Sequence, residues 1–148
     1  MGDTGAGGAS SFDGSRHAVT GSGRDIWGTA DEFHFAHTRV TGDFDFVSGV
    51  TFVEHVDRWT KAGLMVRESL AADARHGFVL ATPTPEKGVA FQRRTATGGA
   101  SVHTAGPSVA PPAGNGTMKR NGLPGHAWAW ASTATPARMA VASASRSS

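Results

Sequence analysis

The chain has no cysteine in its 148 residues. That absence removes disulfides, thiolate nucleophiles and cysteine-ligated metals together. It does not exclude export, because a well-packed sandwich folds without disulfides. No apolar run is long enough to cross a bilayer. The opening stretch from Met1 to Gly8 has neither the basic nor the apolar segment of a signal peptide. The expectation is either a chain that stays inside or an internal piece of a longer secreted one. No G-x-S-x-G elbow, no phosphate-cradling loop and no H-E-x-x-H is present, so three common enzyme signatures are missing. No alternation of strand and helix suggests a parallel sheet.

The scarcest feature is position-dependent. From residue 105 onward there is no Asp, Glu or Phe; all twelve acids and all eight Phe precede it. The stretch 105–148 holds only Val109, Leu123 and Val141 among Leu, Ile, Val and Phe. Its charges are Lys119, Arg120, Arg138 and Arg146, spread through Ala, Ser, Thr, Gly and Pro. The formal net charge of +2 therefore divides into a slightly acidic body and a basic tail. Scattered cations do not make the clustered face that nucleic acid requires, so neither nucleic acid nor a membrane is an expected partner. Three regions follow: a flexible N-terminus over 1–11, a folded body over 12–112, and a disordered or weakly ordered tail over 113–148. Trp128 and Trp130 have the i, i+2 spacing of one strand face, with no neighbouring pattern to support a strand.

The body reads as short strands. Arg16–Thr20 is the first, ended by the Gly21-Ser-Gly turn. Glu32–Val40 alternates, with Phe33, Phe35 and His37 on one face. Phe44–Val56 places Phe44, Phe46, Val50 and Phe52 on one parity, the expected core face, with Gly49 marking a bulge or a close approach. Lys61–Ser69, Gly77–Ala81, Val89–Thr95 and Ala100–Thr104 follow, separated by Gly, Pro and Asp. Leu70–Arg75 alone has helical flavour. Trp27 reads as a plug at one end of the core, and Phe91 as core. Six or more closely spaced strands indicate an all-β antiparallel fold, a sandwich or jelly roll whose two sheets bury each other's Phe faces.

Three segments then read together. They are Gly21-Ser-Gly-Arg-Asp-Ile-Trp-Gly-Thr-Ala-Asp, Trp59-Thr-Lys-Ala-Gly-Leu-Met-Val-Arg-Glu-Ser and Gly88-Val-Ala-Phe-Gln-Arg-Arg-Thr-Ala-Thr-Gly-Gly. In order and spacing they resemble a bacterial family of concanavalin A-like jelly-roll domains, the uncharacterised regulation-of-enolase-like type, from about Phe12 to Pro112. The resemblance implies a two-sheet sandwich, secretion within a multidomain protein, and a non-catalytic accessory role beside carbohydrate-active modules. Family members continue past Pro111-Pro112 with strands that complete the sandwich. Here an Ala/Ser/Thr-rich tail follows, so an incomplete sandwich is expected, with open edges that favour self-association.

Four residues are candidate ligand contacts. Trp59, in a loop before a strand, offers a ring for stacking on a sugar, or folds back over the core edge. Arg67 reaches a ligand if its face is open, or forms a salt bridge. Gln92 and Arg94 share one side of a strand and offer a polar platform for hydroxyls, or simply face solvent. Such binding is non-covalent and needs no cofactor. A metal is undecided: Asp25, Asp31 and Asp43 near turns could supply oxygens to calcium, but turn capping by Asp is the preferred explanation. A glycosidase needs two carboxylates across a cleft, and no spacing pairs Glu32, Glu54, Glu68 or Asp73. The expected function is a glycan-binding accessory module. The alternatives are a structural or protein-docking domain that contacts neighbouring modules, and a hydrolase.

Overall fold

The structure is a computed structural model. It describes residues 2, 4, 7–14, 16–42, 44–111, 115–120, 128–133 and 137–142, with backbone alone at 44, 45, 47 and from 115 onward. The remaining residues, Asp43 and parts of both chain ends among them, lie outside the described set.

The described chain is all-β and contains no helix. Its strands are β1 (Ala9–Phe12), β2 (Arg16–Gly21), β3 (Asp25–Trp27), β4 (Ala30–Glu32), β5 (His34–Thr38), β6 (Phe44–Val53), β7 (Lys61–Arg67), β8 (His76–Ala81), β9 (Val89–Arg94), β10 (Val102–Ala105), β11 (Asn115–Arg120), β12 (Trp128–Thr133) and β13 (Ala137–Ala142). Leu70–Arg75, the one segment with helical flavour, is a turn. Ala9–Ser11, expected to be flexible, belong to β1, which pairs antiparallel with β2.

Two antiparallel sheets stack in a sandwich-like arrangement. One has the order β1-β2-β13-β6-β11 and the other β10-β9-β8-β7-β12-β5. Between them Val19, Val50 and Val53 meet Ala62, Leu64 and Ala81. Burying such aliphatic side chains between pleated faces is the main favourable term in forming the fold. The segment beyond residue 112 supplies β12 and β13, which lie inside the sheets, and β11 at an edge. Trp128 and Trp130 both fall in β12, whose backbone pairs with β5 and β7.

Three aromatic expectations are corrected. Phe52 is 49% exposed rather than core. On β13, Ala140 faces Phe52 and Val141 faces Val50, so Thr51 is an extra residue in β6. An extra residue reverses the in/out alternation beyond it. Val50 points inward before the bulge, and Val53 takes the inward place after it. Phe91 is 38% exposed, because it lies on β9 beside β10, an edge strand exposed at every position. Trp27 is also exposed.

A second core explains why. β7 is buried on both faces. Its odd-numbered side packs Met65 with Phe78, Leu80 and Ala90 against Ile26 and Phe33. The short β3–β4 hairpin therefore covers the outer face of the six-stranded sheet. It turns in two residues, Gly28 and Thr29, with Trp27 opposite Ala30 and Gly28 at φ +56°. Glycine accepts that left-handed backbone without a Cβ penalty. Ile26 and Asp31 sit opposite each other and face inward, while Trp27 faces out.

Candidate functional site: a two-tryptophan pocket over an arginine clamp

The hairpin is fastened by one carboxylate. Asp31 is fully buried and meets two buried guanidiniums. Arg94 Nη1 and Nη2 each lie 2.8 Å from one of its oxygens, and Arg67 Nη1 lies 2.8 Å from Oδ2. Two cations on one anion leave excess positive charge in a dry site. Main-chain carbonyls absorb it: Arg67 donates to Ser69 and Ala71, and Arg94 to Gly99, Ala72 and Ala74. Arg94 Nη2 also donates to the Gly28 carbonyl, 3.1 Å away, and to Ser101 Oγ. It thus grips the hairpin at its turn. Burial pulls the Arg67 guanidinium below its ordinary value, against the hydrogen bond and charge of Asp31.

His76 stands in the same cluster, with Nδ1 3.4 Å from Asp31 Oδ2. Burial is the main reason its pKa falls to about 4; Asp31 opposes the fall, and Arg67 and Arg94 add to it. The ring is therefore neutral at pH 7.

At the other end of the hairpin lies an open pocket of about 630 Å³. The hairpin side supplies Gly23, Arg24, Asp25 and Trp27; the turn before β7 supplies Asp57, Trp59 and Thr60; the sheet supplies Lys61, Gln92 and His103. Gly23 is required there, because a Cβ at that position would sit 2.0 Å from the Glu32 carbonyl oxygen. Trp27 and Trp59 are 44% and 47% exposed. The turn that presents Trp59 is tight: its N–H donates to Asp57 Oδ1 at 2.7 Å, and the Thr60 N–H donates to the Asp57 carbonyl at 3.0 Å. Such an Asx turn fixes the direction of the following side chain.

Lys61 ties the two sides together. Its buried Nζ lies 2.5 Å from Asp25 Oδ1 and donates to the Ile26 carbonyl, and it lies 5.6 Å from the Trp27 ring centroid. On the sheet side, Gln92 Nε2 lies 3.2 Å from His103 Nδ1. Gln92 Oε1 is buried without a partner among the described residues. Burial first, then the positive charges of Lys61 and Lys87, hold the His103 imidazole below its ordinary pKa.

Of the four residues expected from sequence, the structure brings Trp59 and Gln92 to one pocket and separates Arg67 and Arg94 from it. Gln92 and Arg94 do share a strand face, but that face is covered by the hairpin rather than open to solvent. Arg67 and Arg94 are accordingly buried clamps. Neither turn capping nor calcium accounts for Asp31, which is held by the two arginines. Asp25 does accept from the Ile26 N–H at 2.7 Å, and Lys61 holds the same oxygen. Asp43 lies outside the described residues. Sequence reading missed Trp27, Asp25, Lys61 and His103 as pocket residues. The available signal was Trp27-Gly28-Thr29, a two-residue turn that sets the tryptophan at a hairpin tip. No family model matches the chain, and no curated protein and no solved structure matches it either.

Proposed function

We propose that the chain is a non-catalytic accessory module that binds a glycan in the pocket between Trp27 and Trp59. One observation carries this reading: two half-exposed tryptophans border a cavity whose remaining lining is polar. Indole faces match the C–H faces of sugar rings, while carboxylate, amide and imidazole groups suit their hydroxyls. A cavity of about 630 Å³ falls in the size range of small-molecule sites. Both pocket carboxylates are engaged, Asp25 by Lys61 and Asp57 by the Trp59 N–H, which favours binding over hydrolysis. The resemblance to concanavalin A-like jelly-roll domains of secreted multidomain proteins points the same way.

The test is a glycan array probed with the wild-type chain and with Trp27→Ala and Trp59→Ala variants of confirmed fold. Retention of a saccharide class by the wild type, lost in both variants, supports the reading. A folded wild type that retains nothing overturns it.

A second reading, a docking module for neighbouring domains or a second copy, is favoured by β10. That strand is an edge, exposed at all four positions, with Val102 and Phe91 beside solvent. A concentration-dependent shift in sedimentation, abolished by Val102→Lys, supports this alternative.

A further inference from the structure

We infer that the saccharide taken by this pocket is acidic, and that its carboxylate is met by Lys87 as the lysine leaves the face of Trp59. This rests on the glycan reading above and specifies its substrate class.

Lys87 Nζ lies 3.6 Å from the Trp59 ring centroid, over one face of an indole that borders the pocket. The Arg58 guanidinium is the second cation over the same ring, at 5.9 Å. Neither cation has an ion-pair partner among the described residues. Asp25 is paired with Lys61, and Asp57 accepts from the Trp59 N–H while keeping its negative charge; neither acid forms an ion pair with Lys87 or Arg58. His103, on the opposite wall, experiences Lys61 and Lys87 as positive neighbours, and no carboxylate is among the groups that shift it. Lys87 and Arg58 therefore set two cations without ion-pair partners among the described residues beside the Trp59 ring.

A lysine resting on an exposed indole is held weakly, so a stacking ring can displace it. The cost then depends on where the ammonium goes. A neutral sugar leaves it with water alone. A uronate offers a carboxylate at the ring edge, and the cation exchanges an aromatic partner for an anionic one. Selection for acidic rings follows from that exchange, and it weakens with added salt.

Calorimetric titration of the full chain with tri-galacturonate, tri-guluronate, cellotriose and xylotriose, at low and high ionic strength, tests the inference. The expected result is tighter binding of an acidic trisaccharide by about tenfold, weakened by salt. Lys87→Met loses that preference and Lys87→Arg retains it, with melting temperatures unchanged in both. Equal or tighter binding of the neutral trisaccharides, or an acidic preference that survives Lys87→Met, overturns the inference and leaves the glycan reading standing. A folded chain that binds none of the four overturns the inference, and the glycan reading is then decided by the array alone.

Discussion

Arg94 and Asp31 form a two-pronged ion pair across 63 residues of sequence, both contacts at 2.8 Å and neither side chain reaching solvent. The pair joins the last strand of a hairpin to the six-stranded sheet beneath it. It holds in place the element that carries Trp27 and Asp25, so a buried structural contact sets the shape of an exposed pocket.

Removing one member leaves the other charges stranded. Asp31→Ala strips from Arg67 and Arg94 the carboxylate that pairs with both, and should destabilise the chain by about 3–5 kcal/mol. Arg94→Met should cost a similar amount and additionally release the Gly28 carbonyl. Urea denaturation of each single variant and of the double variant checks this. The double variant should be less than additive, because the second change removes the charge that the first left unpaired.

Acid sensitivity follows from His76. Folded His76 titrates at about 4, against 6.5 for an ordinary histidine. Between these values the unfolded chain binds the extra proton, so the contribution to stability is full above about 6.5 and is lost as the pH falls toward 4. The loss amounts to about 3 kcal/mol. Denaturant midpoints measured across that window should fall with pH, and His76→Leu should flatten the slope.

Two phenylalanines separate the inward faces from the outward ones. Phe78 is fully buried in the outer core, and its replacement by Ala should cost about 3–5 kcal/mol. Phe52 lies beyond the bulge and is half exposed, and Phe52→Ser should cost far less, about 1 kcal/mol or below. Comparable losses at the two positions would place the bulge elsewhere.

Gly28 should tolerate volume but not a Cβ conformation. Nothing lies within 4 Å of a Cβ built there, yet its φ is +56°. Gly28→Ala should therefore cost about 1 kcal/mol through backbone strain alone, and Gly28→Asn less. Thermal melts of the two variants measure the difference.

Much of the fold was legible because strand alternation is a local signal. Lys61–Arg67, His76–Ala81 and Val89–Arg94 fall close to where valine, leucine and glycine spacing puts them. The bulge at Thr51 was not legible, since it depends on the partner strand β13, more than eighty residues away. Nor was the fate of Arg67 and Arg94. A charged residue on a strand normally signals an open face, and only the hairpin folding back over that face makes it interior. Trp59 and Gln92 were found by type, stacking ring and amide. Their neighbourhood came from strand order, which places β9 two strands from β7, and from the hairpin lying over that face, which brings Trp27 and Trp59 to one pocket. Lys61 and Asp25 meet across 36 residues, a pairing that no local spacing encodes.

The most direct measurement follows the indole N–H resonances of Trp27 and Trp59, assigned with Trp→Phe variants, while a saccharide retained on the array is titrated into the full chain. The account predicts that both move saturably with one shared dissociation constant, and that His103 ring signals move with them. A saccharide that binds with the same affinity while both indole signals stay fixed would contradict it.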